Sequence, residues 1–392
     1  MPMLSLLIVF GVFVIWSGQA FADEGEGPVP ELLQMQSGAK VSSVEMWRKK
    51  RRPELLELFR QHVYGRNPVE RPAEMTFKIE DESRAVMEGK ATRKLVTIAY
   101  AGPGGRGKIK LVLFIPNQKP KPVPAFLFID INKTSNIDAT LQGKPSKWPV
   151  EEIVARGYAA AAFHVYDVDL DQHDGFKDGV HGIFDKPHAP RPADAWGTIA
   201  AWAWGASRVM DYLETDASID PQRIAVVGHS RGGKTALWCG AQDERFAMVV
   251  SNNSGCTGAA ITRGKKGERI EQITKNFPHW FCQNYTRYSG KEEQLPVEQH
   301  MLLALVAPRL LYVASATEDE WADPASEFKA TVLASSTWTL WDRQGLETSV
   351  MPKHTIPLQK GYVGYHLREG KHALTLYDWE RYLDFADKHM AK

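Results

Sequence analysis

The sequence has few cysteines and almost no imbalance of charge, and each shortage excludes a class of function. Three cysteines among 392 residues allow at most one disulfide, so cystine cannot be the main support of the fold. No Cys-x-x-Cys or clustered Cys/His pattern is present, and we therefore expect no metal site. Lysine and arginine number 48 and aspartate and glutamate 47, which leaves no general attraction for nucleic acid or for an anionic membrane surface.

An apolar run too short to span a membrane opens the sequence. Residues from Leu4 to Trp16 are almost entirely apolar, and Ala20-Phe21-Ala22 follows before Asp23 as a small-x-small cleavage pattern. A membrane-spanning helix needs roughly 20 apolar residues. We predict a signal peptide over residues 1–22, a secreted or periplasmic protein and no stable membrane association. Because no lysine or arginine precedes the run, a membrane anchor is the alternative.

The hydrophobic content of 43% is sufficient for one large core, so residues 23–392 are predicted to form a single catalytic domain. Strands are predicted at Met75 to Glu80, Lys94 to Tyr100, Lys108 to Ile115, Ala125 to Ile131, Ala159 to Val165, Arg223 to Val227, Met248 to Val250, Leu310 to Ala314 and Tyr362 to Leu367. Helices are predicted at Ser42 to His62, Val150 to Ala155, Asp194 to Glu214, Gly232 to Gln242 and Leu374 to Lys392. This alternation predicts an α/β fold, a three-layer sandwich with an antiparallel entry to a mostly parallel central sheet.

A Gly-x-Ser-x-Gly motif, Gly228-His229-Ser230-Arg231-Gly232, lies between a predicted strand and a predicted helix. This is the context of a nucleophile elbow in an α/β-hydrolase fold. The glycines allow close backbone packing on both sides of a strained turn, and the helix N-terminus favours a developing oxyanion. The motif therefore predicts Ser230 as a nucleophile, with a chance match in an ordinary turn as the alternative.

A serine nucleophile needs a base, and His372 is the favoured candidate. It follows the last predicted strand and precedes the closing helix, where an α/β-hydrolase places its catalytic histidine. His354 and His366 are the competing candidates, and they are less favoured because they lie before or inside that strand region.

The third residue should be a carboxylate after a late strand, because it must hold the imidazole and stabilise its charged form. The segment Ser251 to Gly255, which follows one such strand, contains no acid. The segment after the next strand contains three, and we select Asp319 from it. Glu318 and Glu320 remain alternatives.

A lysine follows the nucleophile at helical spacing. Lys234 lies four residues after Ser230, so both side chains are predicted on one helix face at the mouth of the site. A cation there, supported by Arg231, suggests a substrate with oxygens or a carboxyl group. A solvated helix lysine is the alternative.

These motifs resemble a known family. Gly-x-Ser-Arg-x-Gly-Lys, at Gly228 to Lys234, resembles the signature of glucuronoyl esterases, carbohydrate esterase family 15. Three further blocks resemble bacterial members in the same order: Phe277 to Cys282, Thr317 to Pro324 and Gly370 to Asp378. The resemblance extends from about Val112 to the C-terminus.

The resemblance implies an esterase that uses no cofactor and cleaves the ester between 4-O-methyl-glucuronic acid of glucuronoxylan and a lignin alcohol. Ser230 would attack the C6 carbonyl, His372 would transfer the proton and Arg231 would stabilise the oxyanion. The residues implied in substrate binding are Lys234, Glu268 and Trp321.

The sequence departs from the family pattern at two positions. Asn253 lies where many members have a catalytic glutamate, so either the triad is disabled or the acid has moved to Asp319. His229 replaces the cysteine of the fungal signature, and the disulfide expected there is absent. An acetyl-xylan or other carbohydrate carboxylesterase and a non-catalytic glycan-binding relative are the rival functions. The loops Asp167 to Pro192 and Gly264 to Asn276 are expected to shape the pocket rim.

Overall fold

The computed structural model describes residues 28–133, 137–143, 147–186 and 189–390, so the predicted signal peptide over residues 1–22 lies outside the described residues. The strands are β1 (Met75–Val86), β2 (Ala91–Gly102), β3 (Gly105–Pro116), β4 (Val123–Asp130), β5 (Ala159–His164), β6 (Ile219–His229), β7 (Met248–Asn252), β8 (Leu310–Ala316) and β9 (Val363–Arg368). The α-helices are α1 (Val44–Met46), α2 (Arg52–Phe59), α3 (Val150–Ala155), α4 (Gly179–Phe184), α5 (Thr198–Leu213), α6 (Arg231–Gln242), α7 (Ile270–Asn276), α8 (Gln299–Ala304), α9 (Pro324–Ala334) and α10 (Leu376–Met390).

The described strands form one sheet with the order β1-β2-β3-β5-β4-β6-β7-β8-β9. The strands β1, β2, β3 and β5 pair antiparallel, and the remaining pairs are parallel. The prediction of an antiparallel entry followed by a parallel sheet is therefore confirmed, although β1, β2 and β3 are longer than the alternating patterns indicated.

Side chains on the two faces of the sheet enter two separate hydrophobic clusters, as the alternation along a strand requires. On β6, Val226 belongs to the cluster that contains Trp202 of α5, and Val227 to the cluster that contains Trp379 of α10. Helices therefore cover both faces, which is the predicted three-layer sandwich of the α/β-hydrolase fold.

Several helix boundaries differ from the prediction. The helix predicted from Asp194 begins at Thr198, because the backbone before it is extended and Thr198 N donates to His279 O at 2.8 Å. The closing helix starts at Leu376, since the carboxylate of Asp378 accepts hydrogen bonds from Thr375 N and Oγ1, both at 2.7 Å.

Both segments expected to be rim loops contain helices. The segment from Asp167 includes α4, and the segment from Gly264 includes α7. These helices have only six and seven residues, and so short a segment does not show a hydrophobic period in the sequence.

The parallel arrangement brings the carboxyl ends of neighbouring strands to one edge of the sheet. Residue Ser230 follows β6, Asp319 follows β8 and His372 follows β9. This edge is where ligands bind in open α/β sheets. No helix within the described ranges is both long enough and apolar enough to cross a membrane.

Candidate active site

The turn between β6 and α6 has the geometry of a nucleophile elbow. Ser230 has φ +59° and ψ −127°, a strained conformation for a residue with a Cβ atom. A Cβ atom on Gly228 would collide with the backbone of Gly232, so this close approach requires glycine. The turn is fixed from the side as well, because Ser230 N donates to Asn252 O at 2.9 Å.

His372 and Asp319 form a short hydrogen bond above the sheet edge. The distance from His372 Nδ1 to Asp319 Oδ2 is 2.7 Å. The ring of His372 also lies against His229, the residue before the nucleophile, with ring centroids 4.6 Å apart. The structure therefore brings the predicted base and acid together beside the elbow, and leaves His372 Nε2 as the nitrogen that can act on a serine.

The acid of this pair is buried and supported by an amide. The side chain of Asn253 donates from Nδ2 to Asp319 Oδ2 at 2.8 Å, and Ala322 N donates to Oδ1 at 3.3 Å. Burial raises the pKa of Asp319, but the hydrogen bond and charge of His372, with help from Asn253, outweigh burial and hold this pKa below its ordinary value. Asp319 is therefore a carboxylate at neutral pH.

The competing candidates lie elsewhere. His366 is buried between β9 and α10, where Nε2 contacts Asp378 Oδ1 at 2.9 Å and Nδ1 contacts the Tyr312 hydroxyl at 3.1 Å. Burial also lowers the pKa of His366. Glu318 and Glu320 flank Asp319 with their side chains exposed to solvent.

His229, which replaces a cysteine of the fungal signature, is a buried neutral imidazole. Its Nδ1 lies 2.7 Å from Asn252 Oδ1, and Asn252 Nδ2 in turn donates to the Tyr382 hydroxyl at 2.8 Å. Burial and the nearby positive charge of His372 lower the pKa of His229 to about 3. All three cysteines are free.

Arg231 extends over the sheet edge beyond β4 and β5. Its Nη2 donates to Ile131 O at 3.2 Å, and its Nε lies 2.8 Å from Asp171 Oδ2. The guanidinium carbon is 5.8 Å from the centroid of the Trp280 ring. Arg231 therefore places a cation next to the nucleophile, as the sequence suggested.

Lys234 is buried and does not lie at the mouth of the site as helix spacing had suggested. Only 4% of its surface is exposed. Its ammonium donates to Ser254 O at 2.5 Å and to Cys256 O at 2.7 Å, because the loop after β7 folds over the first turn of α6. Burial lowers the pKa of Lys234, and the negative charge of Glu268 partly offsets this.

The two remaining residues implied in substrate binding are neighbours. Glu268 N donates to Trp321 O at 3.0 Å, although 53 positions separate them in the sequence. Glu268 is buried, whereas 54% of the Trp321 surface is exposed. Trp321 thus presents a large apolar surface to solvent beside the segment that carries Asp319.

Sequence reasoning missed four residues that support the site. Asp171 contacts Arg231, and its other carboxylate oxygen lies 3.0 Å from His279 Nε2 and 2.7 Å from Trp280 Nε1. Glu327 accepts a hydrogen bond from Gly255 N at 2.8 Å. Two of the four, His279 and Trp280, lie in the block Phe277 to Cys282. That block indicated a family, but it did not predict the contact with Asp171. No group of three or more metal-ligand side chains was found within the described ranges.

Comparison with known proteins places the chain in a family. A family model described as glucuronyl esterase, fungi, matches residues 105–342. Carbohydrate esterase MZ0003 from an unknown prokaryotic organism is 39% identical, over 94% of this chain and 91% of that protein. A glucuronoyl esterase from Solibacter usitatus superposes with a TM-score of 0.86 at 40% identity, over 92% of this chain and 97% of that one.

A promiscuous esterase of family CE15 from a marine bacterial metagenome is also similar, with a TM-score of 0.83 at 37% identity over 93% of this chain and 97% of that chain. The family model covers more than half of the sequence, and these relatives align over nearly their whole length. The chain therefore belongs to the glucuronoyl esterases, carbohydrate esterase family 15, and is a carboxylic ester hydrolase.

Proposed function

We propose that this protein hydrolyses the ester between (4-O-methyl-)glucuronic acid of glucuronoxylan and a lignin alcohol, with Ser230, His372 and Asp319 as its catalytic triad. The observation that carries this proposal is the 2.7 Å hydrogen bond between His372 and Asp319 beside the strained Ser230 turn. Membership of the glucuronoyl esterase family supports the choice of the uronic acid.

The reaction proceeds in two halves. Ser230 Oγ attacks the C6 carbonyl while His372 Nε2 takes its proton, and the imidazolium that forms is stabilised by Asp319. The developing oxyanion is stabilised by the N-terminus of α6 and by the guanidinium of Arg231. The imidazolium then protonates the departing lignin alcohol, which leaves a glucuronoyl-enzyme. Water activated by His372 hydrolyses this ester and regenerates Ser230.

The sugar is proposed to bind between Lys234, Glu268 and Trp321. Two of the three ammonium donors of Lys234 bond the carbonyls of Ser254 and Cys256, which leaves one donor for a sugar hydroxyl. The exposed ring of Trp321 can pack against the apolar face of a sugar. No cofactor takes part in this scheme.

The location and extent of the enzyme are also proposed from the sequence. Residues 1–22 direct export to the periplasm or the exterior, where a xylan substrate is accessible, and residues 23–392 constitute one catalytic domain. Mass analysis of the mature protein should give an N-terminus at Asp23. Retention of residues 1–22 would contradict the proposed export.

The test is hydrolysis of benzyl glucuronate by the purified protein, with methyl galacturonate and 4-nitrophenyl acetate as comparison substrates. We expect preferential cleavage of the glucuronate and a loss of at least about 1,000-fold in kcat for Ser230→Ala. Ser207→Ala is a matched control, because this serine lies in α5 and not at the sheet edge. Full activity in Ser230→Ala would remove the assigned nucleophile.

A broader carbohydrate carboxylesterase, such as an acetyl-xylan esterase, is the second candidate. Burial of Lys234 beneath two backbone carbonyls favours it, because less of this cation is available to a uronic acid. One similar structure is also described as a promiscuous esterase. Turnover of acetylated xylan or 4-nitrophenyl acetate, without turnover of benzyl glucuronate, would select this candidate.

A further inference from the structure

A single buried carboxylate connects Arg231 to two aromatic side chains on a distant segment. The side chain of Asp171 is 9% exposed, and its Oδ2 lies 2.8 Å from Arg231 Nε. Its Oδ1 accepts a hydrogen bond from Trp280 Nε1 at 2.7 Å and contacts His279 Nε2 at 3.0 Å. The two ring nitrogens thus fix one oxygen of the carboxylate, and the other oxygen is directed to the guanidinium.

The carboxylate is ionised in this environment. Burial raises the pKa of Asp171, but the His279 hydrogen bond and the charge of Arg231, assisted by Trp280, hold it below its ordinary value. The contact with Arg231 is therefore an ion pair between two full charges, held by their attraction and not by an aligned hydrogen bond.

Together, Asp171 and the end of β4 determine the orientation of the guanidinium. Arg231 Nε lies against the carboxylate of Asp171, and Nη2 donates one hydrogen bond to Ile131 O. A guanidinium has five N–H donors, so three donors remain on its outer nitrogens. Since Arg231 directly follows Ser230, a guanidinium fixed at this edge has donors available beside the nucleophile.

One backbone N–H in the loop after β4 is already engaged within the protein. The oxyanion hole of an α/β-hydrolase combines the N–H after the nucleophile with an N–H from a second loop. Here the loop after β4 directs Asn132 N to Asp130 Oδ1 at 3.3 Å. This N–H is therefore not available to an oxyanion, and the outer N–H groups of Arg231 are donors that lie beside the nucleophile.

We propose that Asp171 is a positioning residue that holds the Arg231 guanidinium so that its outer N–H groups face the carbonyl oxygen attacked by Ser230. The inference rests on the oxyanion role of Arg231 in the proposed function. It predicts a defect in the chemical step and little change in substrate binding, because the oxygen carries its full charge only in the transition state.

A double-mutant cycle on kcat and KM tests this inference. Asp171→Asn removes the charge with little change of shape, and Arg231→Met removes the guanidinium. We expect kcat to fall about 100-fold in Arg231→Met and about 10-fold in Asp171→Asn, with KM within about twofold of the wild-type value. The double variant should be within about twofold of Arg231→Met, because Asp171 has nothing left to position.

A matched control is available in the same part of the chain. Asp185 also lies between an arginine and a tryptophan, with Arg191 Nε 2.9 Å from Oδ2 and Trp196 Nε1 2.7 Å from Oδ1. Asp185→Asn should therefore remove a similar buried charge and should leave kcat unchanged.

Three outcomes would overturn the inference. An equal further loss of kcat from Asp171→Asn in the Arg231→Met background would mean that Asp171 acts only through the fold. A rise in kcat in Asp171→Asn would mean that the carboxylate weakens the cation. An equal fall in kcat for Asp185→Asn would mean that the effect is not specific to Arg231.

The experiment can be completed even if Asp171→Asn does not fold. Trp280→Phe keeps an aromatic side chain but removes one hydrogen-bond donor to Asp171. We expect a fall of about twofold to fivefold in kcat that disappears in the Arg231→Met background. Failure of the proposed substrate would be visible in the wild-type protein alone. In that case the cycle is measured on 4-nitrophenyl acetate, whose hydrolysis develops the same oxyanion.

Discussion

Asp319 follows β8 and contacts the imidazole of His372, and Asn253, which follows the neighbouring strand β7, contacts Asp319. The amide of Asn253 reaches the same Oδ2 atom that accepts from His372 Nδ1. An amide cannot balance the charge of an imidazolium, but it can orient the carboxylate that does so. The two residues are thus expected to differ greatly in their importance for catalysis.

Replacement of each residue measures this difference. We expect Asp319→Asn to lose about 1,000-fold in kcat, because the neutral side chain no longer stabilises the imidazolium or fixes its tautomer. Asn253→Ala should lose about 10-fold or less. Steady-state kinetics on one ester substrate would distinguish the two, and a larger loss in Asn253→Ala than in Asp319→Asn would contradict the assignment of the acid.

The position of a residue in the fold could be inferred from the sequence where the residue follows a strand, but not where a loop decides its position. Ser230, Asp319 and His372 could be located because parallel strands end at a common edge. The burial of Lys234 could not be predicted, because helix spacing gives a face but not the loop that covers it. Asp171 was missed because its contact spans 108 positions and depends on the conformation of two irregular segments.

Among the elements, helix α9 supports the site through hydrogen bonds to residues next to it. Its Glu327 accepts from Gly255 N at 2.8 Å and from Ser315 Oγ at 2.6 Å. Glu327 thus connects the loop after β7 to strand β8. Asn253 and Asp319 follow these two strands. Burial raises the pKa of Glu327 to about 7, so the carboxyl takes up a proton near neutral pH.

The pH dependence of stability should reveal this carboxyl. Because the folded-state pKa of Glu327 is raised from 4.5 to about 7, the associated stabilisation is complete below about pH 4.5 and is lost as the pH rises through 7. Glu327→Gln resembles the protonated acid and cannot titrate. Between pH 5 and pH 8, we expect the Tm of the wild type to fall relative to this variant by about 2 °C or more.

Scanning calorimetry at several pH values would provide the measurement. Glu320→Gln, at an exposed position next to Asp319, is the matched control and should leave the pH dependence unchanged. A constant difference in Tm between wild type and Glu327→Gln across this range would show that the carboxyl does not titrate there.

Helix α9 was not predicted from the sequence. Helix α9 buries Ser326, Glu327 and Thr331, so its buried face is partly polar and lacks the apolar stripe by which α5 was predicted. The sheet was easier to predict, because its buried strands are continuous apolar runs bounded by turns.

At the scale of the whole molecule, the fold is held by its layers and not by cystine. All three cysteines, Cys239, Cys256 and Cys282, are free and buried. Burial raises the pKa of Cys256 and of Cys282 to about 11, and that of Cys239 further still. Each is therefore a protonated, poorly reactive thiol in the native state.

Thiol titration would test this description of the fold. We expect no rapid reaction of the native protein with an aromatic disulfide reagent at pH 8, and three thiols per chain after unfolding in guanidinium chloride. The Tm should be the same with and without dithiothreitol. One thiol after unfolding, or a lower Tm under reducing conditions, would indicate a disulfide.

The contact between the ends of β7 and β8 also has an evolutionary consequence. An acid in place of Asn253 at the end of β7 would lie beside Asp319, close to the same histidine. A lineage can therefore acquire the second acid before it loses the first, and every intermediate keeps a functional base. The two arrangements are connected by single substitutions, and relatives that differ in the location of their acid need not have passed through an inactive ancestor.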